Sequence, residues 1–547
     1  MKYWPILFLC LLAWACTSPQ AEQDAPLPPL VLDEQPNILW IVAEDMGPTI
    51  AAYGDSSIAT PNLDRLAREG VRYNHCYSTH GVCAPSRAAL ATGMYPTAIA
   101  ANHMRTYGNP NLLPPGIPPY EAIPPAALKM HSEQLRRAGY FTSNHTKEDY
   151  QFRAPRSAWD QSGREAHWRN RQPGQPFFSI FNYGVCHESG MWRNRDKELL
   201  VSPEKVIVPP YFPDNPTVRQ EMARMYSNIA LMDQQVGELL AELEADGLLE
   251  KTIIFFYADH GGPLPRQKRE VYDSGLRVPL LIRFPNQQRA GTVSDELVSF
   301  IDFKPTLLSL ANIPLPDYLH GQAFLGGQMA ATPREYIWAA RDRLDEETDG
   351  VRAVRDHQFK YVKNLHPELP NIMDVDYRKQ MTLMQELYRL DSLGELSGPP
   401  ARFFQPTKPD EELYDCQADP YEINNLAADP AYAKTLERLR AAYQAWAEAY
   451  PDWGAMPETD MIAKLWPDGQ QPQTAAVVAQ PQGDQLSLTS ATEGASISYQ
   501  LKTPEDTTES WFLYTEPIPM PQGKTVVAEA HRIGYLKSEW TTYAPPQ

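Results

Sequence analysis

Two apolar runs end in acid. Asn37-Ile38-Leu39-Trp40-Ile41-Val42-Ala43 stops abruptly at Glu44 and Asp45, and Thr252 to Ala258 stops at Asp259 and His260. Runs apolar on both faces mark central strands of a parallel sheet, and such sheets carry ligands beyond the carboxyl ends of their strands. Oxygen donors at two strand ends suit a hard cation, with His260 the softer member. Cys83 precedes Pro85 and Ser86, which start a helix, so it lies near free backbone N–H groups that favour an anion. His187 follows the run Phe177 to Tyr183, and Lys268 stands in a basic loop with Arg266 and Arg269. Each feature also has a plainer reading. Acidic strand ends are common, a lone histidine is more often a satisfied loop residue, and a lone lysine is often just solvated.

The elements that must position these residues alternate between strand and helix. Thr60 is a cap, Pro61 a first helical residue and Gly70 a stop, which predicts a helix between them. Met222, Met225, Ile229, Met232, Val236, Leu239 and Leu243 recur at spacings of three and four. They predict an amphipathic helix over about residues 216–246, closed by Gly247, with the methionines in the core rather than on a metal. Strand-helix-strand alternation over this length predicts an α/β sheet with helices on both faces. We divide the chain into a catalytic α/β domain (36–330), a smaller α+β subdomain (331–450), a Pro-rich linker (451–480) and a small β-sandwich (481–547). In the last, Trp511 and Tyr514 are either core or carbohydrate-facing, with core favoured.

The chain has 547 residues, 43% of them apolar, and a formal charge of −19. That apolar fraction excludes a disordered chain, and the acidic balance argues against a nucleic-acid partner. The six cysteines show no scaffold spacing. Lys2 and the apolar run Ile6 to Ala15 form a signal peptide (1–15), too short to span a bilayer. Ala13-Trp14-Ala15-Cys16 is similar to a lipoprotein cleavage site that would lipidate Cys16, against an ordinary signal-peptidase cut. Residues 16–35 are then an extended tether. Export to the periplasm, outer membrane or cell surface follows, with a lipid anchor as the only membrane contact.

The segment Cys83-Ala84-Pro85-Ser86-Arg87, continuing to Leu90-Ala91-Thr92-Gly93, resembles the signature of type I sulfatases. In that family a maturation enzyme, either the formylglycine-generating enzyme or the anaerobic sulfatase-maturating enzyme, oxidises the cysteine to formylglycine. An aldehyde hydrate can expel sulfate by collapsing back to the aldehyde, whereas an unmodified side chain would be trapped as its sulfate ester. The resemblance spans roughly residues 36–447 and implies an alkaline phosphatase-like fold: a large, mixed, mostly parallel sheet sandwiched by helices. It implies a divalent cation, calcium ahead of magnesium, held by Glu44, Asp45, Cys83, Asp259 and His260. It further implies that Arg87 holds the aldehyde hydrate and that His187 protonates the leaving alcohol. Lys147 and Lys268 would then bind sulfate oxygens. Lys268 to Pro279 matches the family's Lys-x-x-x-Tyr-Glu-Gly-Gly-x-Arg-x-Pro segment, and Leu413-Tyr414-Asp415 with Asp419-Pro420 matches its carboxy-terminal run.

The departures are informative. Glu44 replaces the commoner Asp and is one methylene longer. Asp149 stands where relatives carry a histidine credited with deprotonating the hydrate. His80, His103 and Arg105 lie near the signature, where a substrate-reading and a structural role are equally open. The pattern looks closest to bacterial heparan N-sulfatase-like enzymes with His-Glu-Ser at the later histidine, and the final β module resembles a chitobiase C-terminal domain. The resemblance implies hydrolysis of sulfate esters on oligo- or polysaccharide. The alternatives are a phosphoester or phosphonate hydrolase of the same superfamily, and a non-catalytic glycan-binding lipoprotein.

Overall fold

The computed structural model describes residues 29–107, 113–503, 510–520 and 523–544. The signal peptide, Cys16 and the start of the tether lie outside the described residues. An eight-stranded sheet contains β1 (Asn37–Ala43), β2 (Val71–Tyr77), β3 (Phe141–His145), β4 (Gln161–Ser162), β5 (Phe177–Tyr183), β6 (Thr252–Ala258), β7 (Arg277–Arg283) and β8 (Thr292–Ser299). Their order is β4-β3-β5-β1-β6-β7-β2-β8. Neighbours are parallel except around β7, which runs antiparallel to both β6 and β2. The expected mixed, mostly parallel sheet between helices is therefore present.

β1 is central because it is apolar on both faces. Trp40 is 1% exposed and meets the rings of Phe178, Tyr257 and Phe303 edge-on. The helix Pro61–Glu69 begins as the sequence suggests, but the Thr60 hydroxyl makes no cap. Asp233 substitutes for it, accepting hydrogen bonds from the backbone N–H groups of Asn62 and Leu63. Asp233 belongs to the helix Pro216–Ala245, whose Met222, Met225 and Met232 are buried in the core.

Beyond the large sheet, β9 (Ile337–Arg341), β10 (Val351–Arg355), β11 (Phe359–Asn364) and β12 (Glu411–Asp415) form an antiparallel sheet. The helix Ala433–Ala449 packs on it through Leu439. The stretch expected to be a linker instead carries the helix Glu458–Leu465. Met461, Ile462, Leu465 and Trp466 form a short apolar face that packs on Ala100 and Tyr120. Glu458 grips Arg343 with both carboxylate oxygens, at 2.6 and 2.9 Å. Flanking prolines hide this single amphipathic turn pair from a reading based on composition.

Two further antiparallel sheets follow. One contains β13 (Val477–Gln482) and β14 (Gln485–Ser490); the other is built on β15 (Ser496–Lys502) with β16 (Phe512–Leu513) at its edge. β17 (Ile518–Pro519) completes the first, while β18 (Thr525–His531) and β19 (Thr541–Tyr543) complete the second. Their shared core includes Leu486, Leu488, Val526 and Ala528, and Tyr514 packs against it. The module is docked by buried polar contacts: Lys129 Nζ donates to the Gly494 carbonyl at 2.7 Å, and Ser496 Oγ donates to Glu133 at 2.7 Å.

Beneath that seam, Lys304 is fully buried and donates to the Lys129 carbonyl and the Tyr318 hydroxyl. Burial pulls its ammonium from 10.5 down to about 7. Between those values the unfolded chain binds more protons, so this residue makes stability rise with pH there. Lys304→Met is therefore expected to raise the melting temperature at pH 7, with the gain shrinking towards pH 10. Parallel thermal melts across that range check this, and an equal gain at both ends would contradict it.

Candidate active site

Register puts the chemistry on one edge of the sheet. Ala43 of β1 is level with Ala258 of β6, so Glu44-Asp45 and Asp259-His260 leave adjacent parallel strands side by side. Asn182, near the end of β5, pairs with Val42, and β3 ends beside β5 just before Lys147. Cys83 is the first residue of the helix Cys83–Thr92, all of whose side chains are buried. Ser86 Oγ donates to the Asp259 carbonyl and ties the helix start to the end of β6. The loop after β6 folds tightly back, because Gly261 donates its N–H to the Gly275 carbonyl at 2.8 Å. A Cβ on Gly261 would lie 2.2 Å from the Ser274 carbonyl oxygen, so only glycine permits this approach.

Donor atoms of Asp45, Cys83, Asp259 and His260 lie within 4.8 Å of one another, all buried. The Cys83 sulfur is 3.4 Å from His260 Nε2 and 3.6 Å from Lys268 Nζ. Lys268 is 2.6 Å from Asp45 Oδ2, and Arg87 is 3.0 Å from Asp259 Oδ2. Burial would raise the Cys83 thiol, yet the ammonium groups of Lys147 and Lys268 bring it down to about 6. Burial likewise opposes charge on His260, but Asp259 and Asp45 lift it to about 10. A proton on His260 thus stands where two buried carboxylates call for positive charge. That donor set, two carboxylates with an imidazole at a sulfur, fits a divalent cation.

Glu44 stands outside the group of four. Its longer side chain carries Oε2 to Lys147 Nζ at 2.9 Å, while Oε1 is 3.9 Å from Arg87. Burial would raise this carboxyl, but Lys147 and Arg87 hold it below its ordinary value. Asp149 is 3.9 Å from the same Lys147 ammonium and partly open to solvent. His187 follows β5, is half-buried, and has a ring nitrogen within 4.8 Å of oxygens of Asp45 and Glu188. Its Nδ1 is 2.9 Å from Ser189 Oγ. Asp45, Arg105, Thr146, Asp149, Arg269 and Asp345 have positive φ, as do eight other non-glycine residues among those described.

The sulfatase family model matches residues 36–313, about half of the chain, and includes Asp45, Cys83, Asp259, His260 and Lys268. The chain belongs to the sulfatase family. A second model, N-sulphoglucosamine sulphohydrolase C-terminal, matches residues 266–391. This sulfatase is 46% identical to an ulvan-active sulfatase of Formosa agariphila, across 93% of its own length and 91% of the relative's. It is 30% identical to the human N-sulphoglucosamine sulphohydrolase, covering 79% and 94% of the two chains. Among solved structures, one in complex with its substrate D-glucosamine-2-N,6-O-disulfate matches with a TM-score of 0.55 at 18% identity. That match covers 76% of this sulfatase and 98% of the other chain. The same fold occurs in a phosphonate monoester hydrolase of Silicibacter pomeroyi, with a TM-score of 0.51 and 17% identity, covering 76% and 96%.

Within this sulfatase, three residues expected near the substrate separate into two kinds. Arg105 is partly exposed at the cleft and pairs with Asp345 at 2.6 Å. His80 and His103 are 2% and 4% exposed, and His103 Nδ1 accepts from the Arg343 backbone. Burial pulls both histidines below their ordinary value. Two other participants were given no role by the sequence, although Glu188 stands in the His-Glu-Ser segment. Glu188 is paired by Arg269 at 2.8 Å through both oxygens and lies 3.2 Å from Lys268. Asn182 accepts from Arg87 at 2.6 Å and so fixes the guanidinium. The charge run Lys268-Arg269-Glu270 was the available hint, since a basic loop beside a strand end needs buried carboxylates to face.

Proposed function

We propose that this sulfatase hydrolyses sulfate esters on a sulfated polysaccharide, with ulvan as the first candidate. The supporting observation is the buried Cys83 at a helix start, ringed by Asp45, Asp259, His260 and two ammonium groups. The 46% identity to an ulvan-active sulfatase along nearly the whole of both chains favours the polysaccharide. Oxidised to formylglycine by a maturation enzyme, Cys83 would supply a hydrated aldehyde as nucleophile and release sulfate on return to the aldehyde. A divalent cation, calcium ahead of magnesium, would be held by Asp45, Asp259 and His260 beside residue 83, supplying Lewis-acid polarisation when bound.

The remaining chemistry belongs to the side chains. Lys268, 3.6 Å from the Cys83 sulfur, and Lys147 offset charge on the sulfuryl group in transit. Arg87, clamped by Asp259 and Asn182, orients the hydrated side chain at position 83. Asp149, in the place of the family's histidine, is the candidate base for that hydrate. His187 gives its proton to the departing sugar oxygen as general acid. Export on the 1–15 leader, with lipidation at Cys16, would bring the enzyme to external polysaccharide.

The test is sulfate release from ulvan, heparan and carrageenan oligosaccharides by protein co-expressed with a maturation enzyme, beside matched phosphate esters. Release from a sulfated glycan, absent from phosphate esters, is expected; the reverse would favour the phosphoester alternative. The acid role predicts that His187→Ala loses about 10²–10⁴-fold on sugar sulfates. Aryl sulfates, whose leaving groups need no proton, should lose far less. Equal losses on both substrate types would rule out the role.

A further inference from the structure

The sheet containing β15 and β18 turns a polar face towards the catalytic unit. Ser496, Ser498, Gln500 and Glu529, polar side chains suited to solvent, are all 4% exposed or less. At the rim of this seam stand Trp511 and Trp540, with ring centroids 5.9 Å apart and planes inclined by 55°. Trp540 is 57% exposed, yet its indole N–H donates to Glu529 Oε2 at 2.7 Å. A tryptophan serving only to close the seam would bury its ring; this one is anchored by its edge and offers its face to water.

Two cations stand beside these rings. The Arg156 guanidinium lies 4.8 Å from the Trp511 ring centroid and 3.2 Å from Glu529 Oε1. Lys537 Nζ lies 3.2 Å from Glu529 Oε2. Arg156 and Lys537 thus share the Glu529 carboxylate, and exposed Glu539 directly precedes Trp540 in the chain. The side chains of both are 41% and 54% exposed, respectively. A rigid aromatic face rimmed by exposed cations suits a sugar ring, whose C–H face stacks on the indole while its sulfate groups meet the cations. Arg156 is nine residues along the chain from Lys147, so the two α-carbons are at most roughly 30 Å apart. A polymer can span any separation up to that bound.

We propose that Trp540 and Trp511, with Arg156 and Lys537, form an accessory subsite that holds a sulfated polysaccharide beside the catalytic cleft. The proposal rests on the polysaccharide reading for its purpose, but binding is measured independently of turnover. The full chain, Trp540→Ala and Lys537→Glu are run in native gels with and without embedded ulvan, and with chemically desulfated ulvan. Retardation of the parent by ulvan is expected, with about fivefold weaker binding in Trp540→Ala. Lys537→Glu, at a position whose side chain is 54% exposed, should lose affinity for sulfated polymer only. Turnover of a short sulfated oligosaccharide should stay within about twofold of the parent in both variants, while KM for the polymer rises about fivefold. A parent that is not retarded, or variants that migrate with it, would overturn the subsite. A parent that is retarded but releases no sulfate from ulvan would refute the substrate reading and leave the subsite standing.

Discussion

Cys83→Ala should abolish turnover, lowering sulfate release by on the order of 10⁴-fold or more, while the protein stays folded. The reason is local. Cys83 is 2% exposed at the start of a buried helix, and its sulfur lies 3.4 Å from His260 Nε2, 3.6 Å from Lys268 Nζ and 3.9 Å from Asp45 Oδ1. The ion pairs that hold the site, Lys268 to Asp45, Arg87 to Asp259 and Arg269 to Glu188, run between other residues and survive the change. Alanine removes a single heavy atom, so the melting temperature should move by only a few degrees. Ion chromatography of released sulfate beside a thermal melt separates the two effects. Retained turnover in a Cys83→Ala protein would defeat the assignment of this residue as nucleophile.

Lys268→Ala should damage both stability and chemistry, and the size of each loss can be argued separately. The ammonium is 2% exposed, 2.6 Å from Asp45 and 3.2 Å from Glu188. Without it two buried carboxylates remain, and breaking a buried pair by deleting one partner costs about 3–5 kcal/mol. The loss should carry a pH signature. Burial works to raise the Asp45 carboxyl, but Lys268 holds it well below its ordinary value. A lowered carboxyl stabilises the fold above its unfolded pKa and loses that contribution as pH falls through the folded one. With the ammonium removed the folded value rises, so acid unfolding should begin at higher pH than in the parent. In the protein that remains folded, kcat should fall by about 10²–10³-fold, the usual effect of removing a charge aimed at a transition state. Lys268→Arg should rescue stability more than turnover, because a planar guanidinium keeps the charge and changes its direction. Lost stability with unchanged kcat would confine Lys268 to a structural role.

Much of the site was legible in the chain because its pieces are local. An apolar run that ends in Glu44-Asp45, another that ends in Asp259-His260, and a helix that starts at Cys83-Ala84-Pro85-Ser86 are contiguous signals. Each is decided by the same few residues that form the element. The helix Pro216–Ala245 is legible for the same reason, since thirty residues of regular spacing leave no competing period. The short helix Glu458–Leu465 was not, because its eight residues form a helix chiefly through packing on Ala100 and Tyr120 and through the Glu458–Arg343 pair.

The sequence by itself therefore determined the chemical inventory and the sheet edge on which it gathers. The sheet's order, the reversed β7 and the partners of each charge were decided only in three dimensions. Asp45 and Lys268 are 223 positions apart, and nothing local in either segment encodes their 2.6 Å contact. Glu44 shows the limit most clearly: its position after β1 suggests a ligand, but nothing in either segment encodes the 2.9 Å contact it makes with Lys147, which arrives from the end of β3. Charge pairing depends on the distance between side-chain tips and on their burial. Both are set by how strands and loops distant in the chain come to lie beside one another.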